Sequence, residues 1–223
     1  MHGCEATAQR VRCGPVTNPA APLELAINTN RGPVRCAYHP VPHATAAVLM
    51  VGGTDGGIDG PADAIYPALA DDFGEHGIAA LRVDFRGRIA PGSVPEGVFD
   101  VETGLEFLRS DGLQRFALVG HSFGGAVVIA AAAATEDVVS ITTLAAQTAG
   151  AQPVAILAPR CAALFIHGLD DIRLSPDCSR LLYRLAGEPK RLELLEGGRH
   201  SLRQCREEVR SLVLGWFEET LPP

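Results

Sequence analysis

Residues Gly120-His121-Ser122-Phe123-Gly124 set a serine between two glycines, where an apolar run ends and a helix-forming run begins. Such a turn exposes the serine hydroxyl. Side chains at the two glycine positions would collide with the adjoining strand and helix. The helix start aims backbone N–H groups at any anion formed beside the serine. A serine hydroxyl is a weak nucleophile and needs a base, and the base needs an orienting acid. Asp170 and Asp171 follow the apolar run 162–167, and His200 follows the run 191–195 after Glu196, Gly197, Gly198 and Arg199. This set, in the order Ser, Asp, His, suits nucleophilic attack on an acyl carbonyl. Position alone leaves the acid open between Asp170 and Asp171.

These residues need elements that carry them to one place. Residues 23–28 and 34–38 read as strands joined by a turn at Asn30, Arg31 and Gly32. Residues 46–51, 78–84, 116–120, 138–145, 162–167 and 191–195 read as further strands, about eight in all. Helices fit 66–76, with Pro67 in its first turn, Leu69 and Phe73 on one face and Gly77 at its end. A second helix carries Val98, Val101, Leu105 and Leu108 and stops at Gly112. The third, 123–134, is apolar all round and so should be buried. A fourth starts at Ser175, Pro176 and Asp177, ends at Gly187 and is expected to turn Cys178, Leu181, Leu182 and Leu185 inward. The last should bury Val209, Leu212, Val213, Trp216 and Phe217. Alternating strands and helices, with strands apolar on both faces, imply an α/β fold with a mostly parallel sheet and helices on both faces. Ligands in such sheets bind at the carboxyl ends of the strands, where Ser122, the pair Asp170 and Asp171, and His200 fall.

The chain has 223 residues and a net charge of −7, with pI near 5.5. That length fits one α/β domain over 22–223, with 1–21, rich in Pro, Ala and small polar residues, as a flexible arm. An acidic surface repels nucleic acid and anionic lipid, so neither is an expected partner. The longest apolar stretch, 124–134, is too short for the ~20 residues that span a bilayer. The start lacks the basic-then-apolar pattern of a signal peptide, so the expected location is cytoplasmic. Cys4, Cys13, Cys36, Cys161, Cys178 and Cys205 include no C-x-x-C pair. They are expected to be reduced, with Cys161, Cys178 and Cys205 filling the core. No pair of histidines has zinc-ligand spacing, and no cofactor or metal is expected. His39, His43 and His76 are expected at the surface, His167 as a hydrogen-bonded core residue, and Asp71, Asp72, Glu207 and Glu208 on solvated helix faces.

Together these segments resemble the α/β-hydrolase superfamily, from about residue 23 to 220. Gly120–Gly124 matches its nucleophile elbow, extended by Gly125. His167-Gly168-Leu169-Asp170-Asp171 resembles the family's H-G-x-x-D segment, and Gly198-Arg199-His200 its late G-x-H segment. Asp84-Phe85-Arg86-Gly87 is similar to a D-x-R-G stretch of the family. The resemblance implies Ser122 as nucleophile, His200 as base and Asp171 as the acid that orients it. It implies oxyanion donors at the N–H of Phe123 and at that of Thr54 or, as the alternative, Gly53, with Gly53 and His121 near the pocket. Gly52 stands where relatives commonly carry His. Arg88 to Ser93 makes a longer turn than the D-x-R-G segment usually has. The gap 146–161, where many relatives insert a lid, has room for a helical turn or two. That resembles the capless members: small esterases and relatives of dienelactone hydrolase, which typically use Cys where this chain has Ser122. The site should then be roofed by loops around 54–61, 89–95 and 147–159. The implied activity is hydrolysis of a small to medium carboxylic ester, or a thioester, through an acyl-enzyme. The alternatives are an acyltransferase or perhydrolase using the same residues, or a non-catalytic binding protein on the same fold.

Overall fold

The computed structural model describes residues 8–9, 21–87 and 93–221. Among these, β1 (Ala8–Gln9), β2 (Leu23–Ile27), β3 (Val34–His39), β4 (Ala46–Val51), β5 (Ala79–Asp84), β6 (Arg115–His121), β7 (Val138–Leu144), β8 (Ala162–Gly168) and β9 (Lys190–Leu195) form one sheet. The helices are α1 (Pro61–Glu75), α2 (Val94–Ser110), α3 (Phe123–Ala134), α4 (Asp177–Leu185) and α5 (Arg206–Thr220). Eight strands have five to seven residues, and the two-residue β1 pairs with the edge strand β2. The expected arm 1–21 lies outside the described residues except for β1 and Ala21.

The spatial order is β1-β2-β3-β5-β4-β6-β7-β8-β9. β2 and β3 pair antiparallel, β3 joins β5 antiparallel, and all pairs from β5 to β9 are parallel. The mostly parallel α/β architecture expected from sequence is therefore the one observed. Period-2 alternation sends alternate residues of a strand to opposite faces. In β4, Ala47, Leu49 and Val51 pack under α2 and α3, while Ala46, Val48 and Met50 pack under α1 and α5. All six are fully buried, which is why the run reads as continuously apolar.

α3 is buried because both of its flanks are covered, by the sheet on one and α2 on the other. Gly97 of α2 lies so close that an added Cβ would come within 2.6 Å of Val127. α1 closes as expected: Gly77 takes φ 75°, and the Ile78 N–H reaches Phe73 O at 2.9 Å. Its start differs. Ala62, Asp63 and Ala64 adopt left-handed φ of 51°, 54° and 59°, so right-handed helix begins near Ile65 and Pro67 sits in its first turn. α2 begins at Val94, earlier than the apolar periodicity suggested, with Pro95 in its first turn.

Three side-chain expectations need correction. In α4, Leu181 and Leu185 are 38% and 45% exposed, while Ser179 and Leu182 face the core. Two apolar stripes compete on that helix, and a hydrogen bond from the buried Ser179 settles which one turns inward (below). Asp72, expected on a solvated face, is buried and takes two 2.6 Å bonds from Arg210 of α5. His39 is half-buried at the end of β3, where its Nε2 accepts a 3.1 Å bond from Arg82. Burial first, then the Arg82 charge, lower its pKa to about 4. Cys36, Cys161 and Cys205 are buried free thiols, and Cys178 is half-buried. Among the described residues no helix is long and apolar enough to cross a membrane.

Candidate active site

The carboxyl ends of β4, β6, β8 and β9 deliver the chemistry-bearing residues. Ser122 follows β6 with φ 54° and ψ −114°, a conformation that ordinary residues adopt only under strain. Its backbone is pinned by a 2.9 Å bond from its N–H to Leu144 O, at the end of β7. Its own carbonyl accepts from Gly125 N–H at 3.1 Å and Gln147 N–H at 3.3 Å. The flanking glycines allow the crowding this requires. A Cβ on Gly120 would lie 2.2 Å from Gly124 O, and one on Gly124 would lie 2.2 Å from Gly52 O.

The loops after β8 and β9 are pressed together in the same way. A Cβ on Gly168 would lie 2.1 Å from Gly198 O. Leu169 N–H bonds Leu195 O at 2.8 Å, and Asp170 N–H bonds Gly198 O at 2.9 Å. This contact brings Asp171 to His200. His200 Nδ1 lies 2.7 Å from Asp171 Oδ2, and His200 Nε2 lies 3.0 Å from Ser122 Oγ. The three side chains form one continuous chain of hydrogen bonds across 78 residues of sequence. Asp170 is exposed and uses its backbone, so the structure pairs His200 with Asp171. The Asp171 side chain has no exposed surface. Burial alone would raise its pKa. The Leu174 N–H, His200 and the Arg173 N–H outweigh that and hold it below the usual carboxylate range.

The opposite wall is the glycine-rich segment after β4. A Cβ on Gly53 would lie 3.5 Å from Ser122 Cβ and 3.4 Å from His121 Nδ1, so Gly53 backs directly onto the serine. Thr54 follows it in the same wall. The segment curls back through a 3.1 Å bond from Gly56 N–H to Gly53 O, and Gly57 N–H donates to Asp84 Oδ1 at 2.8 Å. Asp84 and Arg86 stand out in the sequence as part of the D-x-R-G stretch, which does not reveal their contacts. Asp84 tethers this loop, while Arg86 pairs with the buried Asp100 and with Glu96. Phe123 opens α3, with its side chain fully buried in the core and its N–H in the first turn.

Beyond Gly60 the wall reaches Pro61 and then the left-handed turn of Ala62 to Ala64. Such a turn costs ordinary residues about 1–2 kcal/mol apiece. It is strapped to the His200 loop in compensation. Ala62 N–H bonds Ser201 O at 2.7 Å, Arg206 donates to the carbonyls of Ala62 and Asp63, and Arg203 pairs with Asp63 at 2.5 Å. No local pattern in the sequence pointed to this strap.

His121 lies under the pocket floor. Its Nε2 donates to His200 O at 3.0 Å, and the two rings are 5.0 Å apart. Burial, the largest influence, lowers its pKa to about 4, so it is neutral at pH 7. The pocket holds about 270 Å³ and includes Gly53, Thr54, His121, Ser122, Arg173 and His200. The segment where a lid would sit is a single 3-10 turn, Gln152–Ile156. Of the three expected roof loops, 89–95 lies mostly outside the described residues.

A family model described as alpha/beta hydrolase family matches residues 47–216. The chain belongs to the alpha/beta hydrolase family. Among solved structures it is similar to a dienelactone hydrolase from Anabaena variabilis, with TM-score 0.73 and 17% identity over 90% of this chain and 99% of that one. It is also similar to Est1E from Butyrivibrio proteoclasticus, with TM-score 0.73 and 16% identity over 88% and 98%. A third is a serine hydrolase without lid from Xanthomonas campestris, with TM-score 0.71 and 19% identity over 91% and 96%. No curated protein matches the chain. At these identities the likeness is one of fold, and this alpha/beta hydrolase has no large cap among its described residues.

Proposed function

We propose that the protein is a serine hydrolase that cleaves small carboxylic esters through an acyl-enzyme on Ser122. The observation that carries this reading is the chain of hydrogen bonds from Ser122 Oγ through His200 to the buried Asp171. His200 Nε2 takes the hydroxyl proton as Oγ attacks the ester carbonyl. Asp171 orients the ring and stabilises the imidazolium. The oxyanion meets the Phe123 N–H at the start of α3 and an N–H of the Gly53–Thr54 segment. The tetrahedral intermediate collapses, and His200 gives its proton to the departing alkoxide. A water then repeats the sequence on the acyl-enzyme, which releases the acid and frees Oγ.

Ser122 is half-buried, and the His200 side chain keeps 13% of its surface exposed. Water can reach the acyl group, which favours hydrolysis over transfer to another acceptor. A chromogenic ester assay on wild type and Ser122→Ala tests the reading. The expected result is a fall in kcat of about 10⁴-fold or more in the variant. A variant that keeps near-normal turnover would overturn it.

A further inference from the structure

His200 does not hold Asp171 alone. His167, near the end of β8, is fully buried, and its Nε2 lies 3.2 Å from Asp171 Oδ2, the same oxygen that His200 engages at 2.7 Å. His167 Nε2 also lies 3.1 Å from Leu174 O. A carbonyl and a carboxylate only accept hydrogen bonds, so His167 Nε2 carries a proton. The ring is neutral, because burial pushes its pKa down. Its bare Nδ1 then accepts a 2.7 Å bond from the hydroxyl of Ser179, which is itself fully buried in α4. The other carboxylate oxygen is filled by the N–H groups of Arg173 at 2.8 Å and Leu174 at 3.0 Å. Among the described residues Asp171 therefore has four donors, and one of them belongs to His200.

We infer that His167, with its ring held by Ser179, is a positioning residue that sets how strongly Asp171 acts on His200. The inference rests on the Ser122–His200–Asp171 reading above. Two imidazole N–H groups share Asp171 Oδ2. The bond from His167 draws charge from that oxygen, so Asp171 stabilises the His200 imidazolium less than a carboxylate bound by His200 alone would. It also fixes the rotation of the carboxylate, and so the direction in which His200 Nε2 faces Ser122. Loss of this donor should make His200 harder to deprotonate and its aim less defined. A residue that only filled space would alter stability and leave the pH profile in place.

The test compares His167→Leu with His167→Gln, whose amide keeps a donor near Nε2. Loss of one donor to the carboxylate is expected to raise the pH midpoint of kcat/KM by about half a unit or more. In His167→Leu, kcat should also fall several-fold with KM little changed, and His167→Gln should restore most of both. An unmoved midpoint in folded His167→Leu would overturn the inference. Should that variant not fold, histidine nitrogen shifts of the wild-type protein decide. A neutral ring protonated on Nε2 at pH 7 is expected for His167. A proton on Nδ1, or a charged ring at pH 7, would overturn it. A wild-type protein that hydrolyses no ester would instead sink the functional reading, and the nitrogen shifts would still test the ring.

Discussion

The carboxylate of Asp84, at the end of β5, accepts a 2.8 Å hydrogen bond from the backbone N–H of Gly57. Asp84 never touches the pocket's reactive atoms, yet it fixes the loop that carries Gly53 and Thr54 past Ser122. The same carboxylate pairs with Arg35. Asp84→Ala should free the loop, and misplacing an oxyanion donor by about 1 Å can cost on the order of 10²-fold in rate. A fall in kcat/KM of tenfold or more, with a small change in melting temperature, is the expected outcome. Equal losses of stability and activity would place Asp84 in the scaffold only.

Gly124→Ala probes the elbow itself. The new Cβ would sit 2.2 Å from the Gly52 carbonyl, a backbone atom that cannot swing aside as a side-chain end can. Overpacking of this kind costs about 1–3 kcal/mol or more. Urea denaturation should show a lower midpoint, and esterase turnover should drop because Gly52 adjoins Gly53. A variant with the wild-type midpoint would mean the turn yields more easily than its crowding implies.

The pocket should select short acyl groups. Its wall is built from five glycines, and apart from Ile58 and Pro61 it offers little aliphatic surface. Each methylene left in water forgoes about 0.8 kcal/mol of burial. The dodecanoyl p-nitrophenyl ester should therefore gain no kcat/KM over the butyryl ester. A rise with chain length would point to an apolar acyl channel that the described residues of this pocket do not form.

Stability should fall on mild acidification, and His121 should contribute to the fall. Its pKa in the folded protein is about 4, against the ordinary 6.5, because its ring is buried. Below pH 6.5 the unfolded chain takes up a proton that the folded one refuses until pH 4. Protonation thus favours unfolding across that window, and the full stability is present above it. At ~1.4 kcal/mol per unit the upper limit is about 3 kcal/mol. His121→Gln should flatten the dependence of unfolding free energy on pH between 6.5 and 4. An unchanged slope would assign it to other groups, such as His39.

The sheet was legible because its strands are short apolar runs bounded by glycine and charge, and β4 matches to the residue. Ser122 and His200 were legible because each sits at a strand end with glycines that permit close approach. The acid was open to one position on residue type alone, since Asp170 and Asp171 are adjacent. Only the pairing of loops through Gly168 and Gly198 separates them. Ser179 went unmarked and Asp72 was expected on a solvated face, because a serine beside leucines, or an acid on a helix, reads as solvated. Their partners, His167 and Arg210, are 12 and 138 residues away. The strap of Ala62 to Ala64 onto Ser201 and Arg206 is equally nonlocal, and left-handed alanines carry no signature in composition.

The most direct test of the central claim is mass spectrometry of the intact wild-type protein after treatment with a fluorophosphonate, followed by peptide mapping. Only a serine activated by a neighbouring base reacts readily with such a probe. One adduct, on Ser122, is the predicted result. Folded protein that takes no adduct, or takes it on another residue while Ser122 stays unmodified, would contradict the assignment of Ser122 as nucleophile.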